Sequence, residues 1–484
     1  MSRIVLTVVV FLIFLQSNAQ SNGHAGQYAD RIKPADLRSL LEVIASDSLE
    51  GRKTGSEGQK KAGAFISSYF SSIGLEKPVA GSYFQTVPLY TRVATEAVIT
   101  VGKRTLTNFK DIVYLGFENL EGKPQLLFVG NQTSLDVLKV NGKAVVLYKQ
   151  GSVDYAFIEK LKRQGATLVL LCNTGSQREF DAFASTVRES MARLRYNKPT
   201  PVIEMERIVF LSPTAFQAIT GFSIGASTSV QSTTIPKADI TYKLTSEIAT
   251  VESENVLGFL EGTDRKDEVL VISAHYDHIG KKSSGAGDLI NNGADDDGSG
   301  TVTIMEMAEA FAKAKESGNG PRRSILFMTV TGEEIGLFGS QYYTENPVYP
   351  LENTVANLNI DMIGRSDPSH RDSADYVYII GSDKLSSELH QLSERTNAEC
   401  CNLSFDYLYN DVNHPSNLYK RSDHWNFAKN DIPIIFYFDG IHEDYHKPSD
   451  EIDKIDFELL TKRAQLIFYT AWEIANRKER LKID

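Results

Sequence analysis

Past Val256 the hydrophobic pattern settles into short continuous apolar runs at 269–272, 325–328, 355–360 and 432–438. Runs without alternation suit strands covered on both faces, as in a parallel sheet. Between them, residues 302–315 place Val302, Met305, Ala308 and Ala312 on one side and predict an amphipathic helix. Strands alternating with helices predict an α/β fold with a doubly wound, mostly parallel central sheet flanked by helices. Two more helical patterns lie upstream. Residues 34–45 carry Leu37, Leu40, Leu41 and Ile44, and residues 58–73 are stopped by Gly74.

From 93 to 243 the texture changes to short β-branched strands separated by Gly, Asn and Pro, with a helix at 156–164 and a strand at 166–171. This predicts a small β-rich domain, 93–243, inserted into a larger one made of 20–92 and 244–484. A Ser/Thr-rich surface segment, 227–234, with Pro236 after it, lies near the far border. The first residues have a different grammar: Arg3, an apolar run over 4–15, then Ser17-Asn18-Ala19. That run is shorter than the ~20 apolar residues that span a bilayer, so 1–19 reads as a cleaved signal peptide. The expectation is an exported protein, periplasmic or extracellular, with no membrane anchor.

At 484 residues the chain can bury a large core without disulfide support. Its 51 Lys and Arg against 62 Asp and Glu give a net charge of −11, which argues against nucleic acid as a partner. Cys172, Cys400 and Cys401 are odd in number and two are adjacent, so a disulfide framework is not expected. Nothing in the pattern bears on oligomeric state.

In doubly wound sheets ligands bind beyond the carboxyl ends of the strands. There the chain places His275-Tyr276-Asp277, Gly332-Glu333-Glu334, Asp361-Met362-Ile363-Gly364 and, after the last run, Tyr445-His446. Gly293-Ala294-Asp295-Asp296-Asp297-Gly298-Ser299-Gly300 opens the long helix. So many carboxylates and imidazoles converging on one place call for cations. Two divalent ions fit the inventory: His275 and Asp361 on one, Glu334 and His446 on the other, Asp296 bridging. Donors without thiolate favour zinc, with manganese or cobalt as substitutes. Glu333, beside a ligand, is the candidate general base and acid. Asp277 can accept the second imidazole N–H of His275, and Tyr445 can donate to a developing oxyanion.

In order and context these segments resemble the co-catalytic di-zinc exopeptidases: secreted zinc aminopeptidases and the glutamate carboxypeptidase relatives. The resemblance implies peptide substrates, and it places the bridge at the middle aspartate, Asp296, often beside a cis peptide bond. Leu49-Glu50-Gly51-Arg52 through Gly55-Ser56-Glu57-Gly58 resembles the amino-terminal segment of bacterial members. The strand 140–147 with Gly165-Ala166 and 168–171 resembles an inserted protease-associated domain.

The expected activity is that of an aminopeptidase. Its competitors are a carboxypeptidase or dipeptidase selecting a substrate carboxylate through arginine, a single-zinc glutaminyl cyclase, and a receptor-like ectodomain that has lost its ligands. His278, His424 and His442 lie near the motifs and read as hydrogen-bonded structural histidines, with Ser422-Asp423-His424 in a supporting role. Arg52 and Arg421 read as surface or capping residues. Asn131-Gln132-Thr133 and Asn402-Leu403-Ser404 are glycosylation-type triplets, relevant only in a eukaryotic secretory host.

Overall fold

The four apolar runs form the middle of one sheet in a computed structural model that describes residues 25–130, 139–149, 151–200, 202, 205–224, 233–235, 239–282, 284–373 and 375–484. The leader-like stretch, the Asn131 triplet, residues 227–232 and Pro236 lie outside the described residues. The chain divides into two units, one comprising residues up to Val87 with Glu252–Asp484, the other Pro88–Val251.

In the first unit, Ile434–Phe438, Thr354–Ile360, Arg265–His275 and Arg323–Val330 lie side by side and parallel. The borders differ from the expectation. Tyr376–Ile380 runs antiparallel to Ile434–Phe438, and residues 256–260 run antiparallel to Arg323–Val330. The sheet is therefore mixed, with a parallel centre. Residues 256–260 are buried throughout, as the central strands are, so apolar continuity does not distinguish their antiparallel pairing from a parallel one.

Successive strand residues face opposite sides. Leu270, Ile272, Ala274, Phe327, Leu358 and Ile360 pack with Leu37 and Leu41 of helix Pro34–Ile44, Met305 and Phe311 of helix Gly300–Glu316, and Phe468 of helix Phe457–Asn476. Val269, Val271, Leu326 and Met328 pack on the other side with Tyr343 and Phe427, from helices Phe338–Glu345 and His424–Ala428. Because the four central strands are parallel, their carboxyl ends share one edge. His275, the Glu333 turn, Asp361 and the loop after Phe438 are gathered there.

The second unit carries a six-stranded sheet in the order Ile112–Tyr114, Ile208–Leu211, Leu168–Cys172, Lys143–Tyr148, Gln125–Gly130, Thr233–Thr234. Its four central strands are parallel and its outer pairings antiparallel. Helices Tyr155–Arg163, Gln177–Ala192 and Pro213–Thr220 accompany it, so the unit is mixed α/β rather than simply β-rich. Gln177–Ala192 escapes the sequence reading because only Phe180, Ala184 and Met191 of its length are buried, too sparse a stripe to stand out. Cys172, Cys400 and Cys401 are free thiols, and burial pushes the Cys172 thiol up to about 12.

Candidate metal centre and catalytic groups

The turn before helix Gly300–Glu316 depends on Gly293. Its φ is +56°, and a Cβ there would lie 2.2 Å from the Asp296 carbonyl oxygen, so a side chain is excluded. The three aspartates that follow are buried and divide the work. Asp297 accepts from the backbone N–H groups of His275 at 3.1 Å, Gly300 at 2.9 Å and Met362 at 3.1 Å, tying two strand ends to the helix start. Asp295 accepts from the Gly364 N–H at 2.7 Å and faces His442 Nε2 at 3.1 Å. Asp296 has extended torsions inside the turn, and its bond to Asp297 is cis.

The Asp296 carboxylate faces the strand ends. Its Oδ1 lies 3.3 Å from His275 Nε2, which is in turn 3.5 Å from Asp361 Oδ1. Its Oδ2 lies 3.1 Å from His446 Nε2, and Glu334 Oε2 lies at the same distance, 3.1 Å, from that nitrogen. All five residues predicted as ligands, His275, Asp296, Glu334, Asp361 and His446, converge, with Asp296 between the two groups.

Glu333 Oε2 stands 4.0 Å from His275 Nε2. Burial pushes this carboxyl well above its usual range; the Asp361 and Glu334 carboxylates add to the rise against the pull of His275. Tyr445 stacks on the His446 ring at 3.9 Å. Burial, with Asp296 and Glu334 nearby, pushes its hydroxyl pKa up, so it remains a donor at neutral pH.

Asp277 differs from expectation. His275 Nδ1 is 2.9 Å from the Asp277 backbone carbonyl and 3.9 Å from its carboxylate, so the carbonyl is the nearer acceptor. The carboxylate instead accepts from Thr54 Oγ1 at 2.6 Å and from the Glu333 N–H at 3.3 Å, which orients the turn carrying Glu333. An extended chain leaving His275 brings the nearby carbonyl under the ring, and the side chain is drawn to the stronger donors behind it.

The donor set fits divalent metal. His278 Nδ1 and Nε2, Asp296 Oδ2, Glu334 Oε1 and His446 Nε2 are buried without a hydrogen-bond partner, although Glu334, Asp296 and the two imidazoles are within ion-pairing distance. Buried polar atoms are otherwise nearly always paired. His275, Asp296 and Asp361 form one group able to hold an ion, and His278, Asp296 and Glu334 form another. Imidazole and carboxylate donors without thiolate suit zinc.

Sequence reasoning missed two features. The first is the place of His278, whose Nδ1 lies 2.7 Å from Glu334 Oε1, beside the second group. His424 and His442 are structural, one contacting the Tyr419 carbonyl at 3.0 Å and stacking on Phe436, the other facing Asp295. The second is a buried relay in which Asn357 donates to Ser273, Ser273 to Asn359, Asn359 to Ser422, and Ser422 to Asp361. Ser273, Asn357 and Asn359 interrupt otherwise apolar runs, which was the available signal.

The amino-terminal motif supports this centre. Arg52 is fully buried and donates to the carbonyls of Ile44, Tyr276, Asn292 and Gly293, joining the turns on both sides of the site. It is neither a surface residue nor placed to meet substrate, whereas Arg421 is exposed.

A parallel-centred α/β sheet with imidazoles and carboxylates gathered at its strand ends defines a metallohydrolase type of centre. Residues 255–471 match the sequence model of peptidase family M28. The chain is 28% identical over 221 residues to a probable leucine aminopeptidase of Arthroderma otae, covering 44% of this chain and 55% of that one. It is 27% identical over 238 residues to the aminopeptidase YwaD of Bacillus subtilis, covering 48% and 46%. The matched region thus spans about half the length of these curated relatives. Among solved structures, an aminopeptidase from Aneurinibacillus sp. strain AM-1 aligns over 95% of this chain and 98% of that one, with 19% identity and a TM-score of 0.49.

Proposed function

We propose that this protein is an exported, zinc-dependent aminopeptidase that removes amino-terminal residues from peptides using two metal ions. The observation that carries the reading is the Asp296 carboxylate, whose two oxygens face separate imidazoles, His275 at 3.3 Å and His446 at 3.1 Å. His275, Asp361 and Asp296 would hold one ion, and Glu334, His446 and Asp296 the other. When bound, the ions supply Lewis-acid charge for the scissile carbonyl and lower the pKa of water in the cleft.

Glu333 takes a proton from the attacking water and returns it to the leaving amine. Asp361 and Glu333 present negative charge to the free α-ammonium group, which selects substrates with an unblocked amino terminus. Tyr445 donates its hydroxyl to the oxyanion as the carbonyl becomes tetrahedral. The names of the curated relatives support aminopeptidase rather than carboxypeptidase action. Export rests on the apolar run near the amino terminus, and the protease-associated reading of the inserted unit rests on the strand and glycine pattern over 140–171.

Metal analysis and assay of aminoacyl anilides beside amino-blocked peptides test the proposal. Two zinc equivalents and activity confined to unblocked substrates are expected. Glu333→Ala should lower turnover by roughly 10²–10⁴-fold with both metals retained. Undiminished activity in that variant refutes its role. Efficient cleavage of blocked peptides identifies a carboxypeptidase instead, and a single zinc with cyclising activity identifies a cyclase.

A further inference from the structure

His278 lies beside the second metal group and has no part in the mechanism above. Its side chain is fully buried, and its Nδ1 lies 2.7 Å from Glu334 Oε1 and 3.8 Å from Asp296 Oδ2. The backbone holds the ring in place. The His278 N–H donates to the Arg52 carbonyl at 3.1 Å, and the Gly293 backbone approaches so closely that a Cβ there would lie 2.7 Å from ring carbons. On its outer side the ring meets His446 edge to face at 5.7 Å.

The two oxygens of Glu334 therefore face different imidazoles: Oε1 faces the buried His278, and Oε2 the partly exposed His446. If both imidazoles coordinated, the second ion would have two nitrogens and two carboxylates. Four protein donors close a tetrahedral site and leave no position for water, as in structural rather than catalytic zinc sites. A hydrogen bond from an imidazole to the outer oxygen of a ligating carboxylate instead orients that ligand and strengthens metal binding.

We propose that His278 is a positioning residue for Glu334, its Nδ1 pairing with Oε1 across 2.7 Å so that Oε2 is presented to the second ion beside His446 and Asp296. The proposal rests on the two-ion reading. It assigns the buried imidazole to the carboxylate and leaves three protein ligands for the ion.

The test is zinc titration of the full-length protein after chelation, comparing wild type, His278→Ala and His278→Asn, with cobalt absorption spectra of each. Wild type should take up two equivalents. His278→Ala should weaken one of the two sites by roughly 10–100-fold and leave the other unchanged. His278→Asn, whose amide nitrogen can occupy the place of Nδ1, should restore most of that loss and keep the wild-type cobalt spectrum. Wild-type affinity in His278→Ala overturns the proposal. So does an Asn variant as weak as Ala with an altered cobalt spectrum, which would make His278 a direct ligand. A wild type binding only one equivalent removes the two-ion reading itself, a result distinct from either. The Asn variant keeps the test decisive if the Ala variant does not fold.

Discussion

Ser422 donates its hydroxyl to Asp361 Oδ2 at 2.7 Å, the last of a run of buried hydrogen bonds that begins at Asn357. Each member donates to the next, so the chain ends on the carboxylate with a defined direction. Such directional networks reinforce themselves in a low-dielectric interior. The relay fixes which oxygen of Asp361 is occupied and which remains turned towards His275.

Ser422→Ala removes that donor and also leaves the Asn359 amide without its acceptor at 2.9 Å. The expected loss of stability is about 1–2 kcal/mol. Metal affinity at the His275 and Asp361 position should fall by roughly tenfold. Zinc titration paired with denaturant unfolding measures both. Unchanged affinity with lowered stability would show that the relay supports the fold alone.

Arg52 satisfies four carbonyls that no other side chain is shown to reach, in a site with no solvent exposure. Arg52→Met removes these donors; the Gly293 carbonyl keeps the Gly298 N–H at 3.2 Å, while those of Ile44, Tyr276 and Asn292 lose the guanidinium, so a loss of at least about 3 kcal/mol is expected in urea unfolding. Arg52→Lys should not recover it, because a single ammonium cannot reproduce the spread of a guanidinium. A loss below about 1 kcal/mol in Arg52→Met would contradict the bracing role.

Away from the centre, Tyr69 donates towards two carboxylates, Glu309 at 2.7 Å and Glu306 at 3.1 Å. Burial raises Glu306 from 4.5 to about 7; Tyr69 opposes the rise, Glu309 and Asp36 add to it, and Arg31 opposes it. Because the folded state holds this proton more tightly, ionisation costs nothing below pH 4.5 and its full amount above pH 7. Stability attributable to this group therefore falls as pH rises between those values. Glu306→Gln should stabilise the protein by about 1–3 kcal/mol at pH 8 and change little at pH 4. Thermal unfolding across that range gives the comparison, and equal effects at both ends would rule the explanation out.

The inserted unit shows where sequence patterning loses force. Lys143–Tyr148 and Leu168–Cys172 are legible because strands covered on both faces must be continuously apolar. Gln177–Ala192 is not, since a helix with one sparse buried edge resembles a polar loop. At the sheet border, apolar continuity over 256–260 does not give the direction of pairing, so only the folded chain shows the antiparallel neighbour.

By itself the sequence determined the parallel strands and the chemistry at their carboxyl ends. Continuous apolar runs leave few alternatives, and charged groups placed just after them must meet on one side. Tertiary structure alone decided how neighbouring groups share the work. It took the Asp277 carboxylate away from His275, buried Arg52 among carbonyls, and brought His278 to Glu334. Those outcomes depend on which donor lies within about 3 Å of which acceptor. Such distances arise from contacts between segments far apart in the chain, and residue spacing along the chain does not encode them.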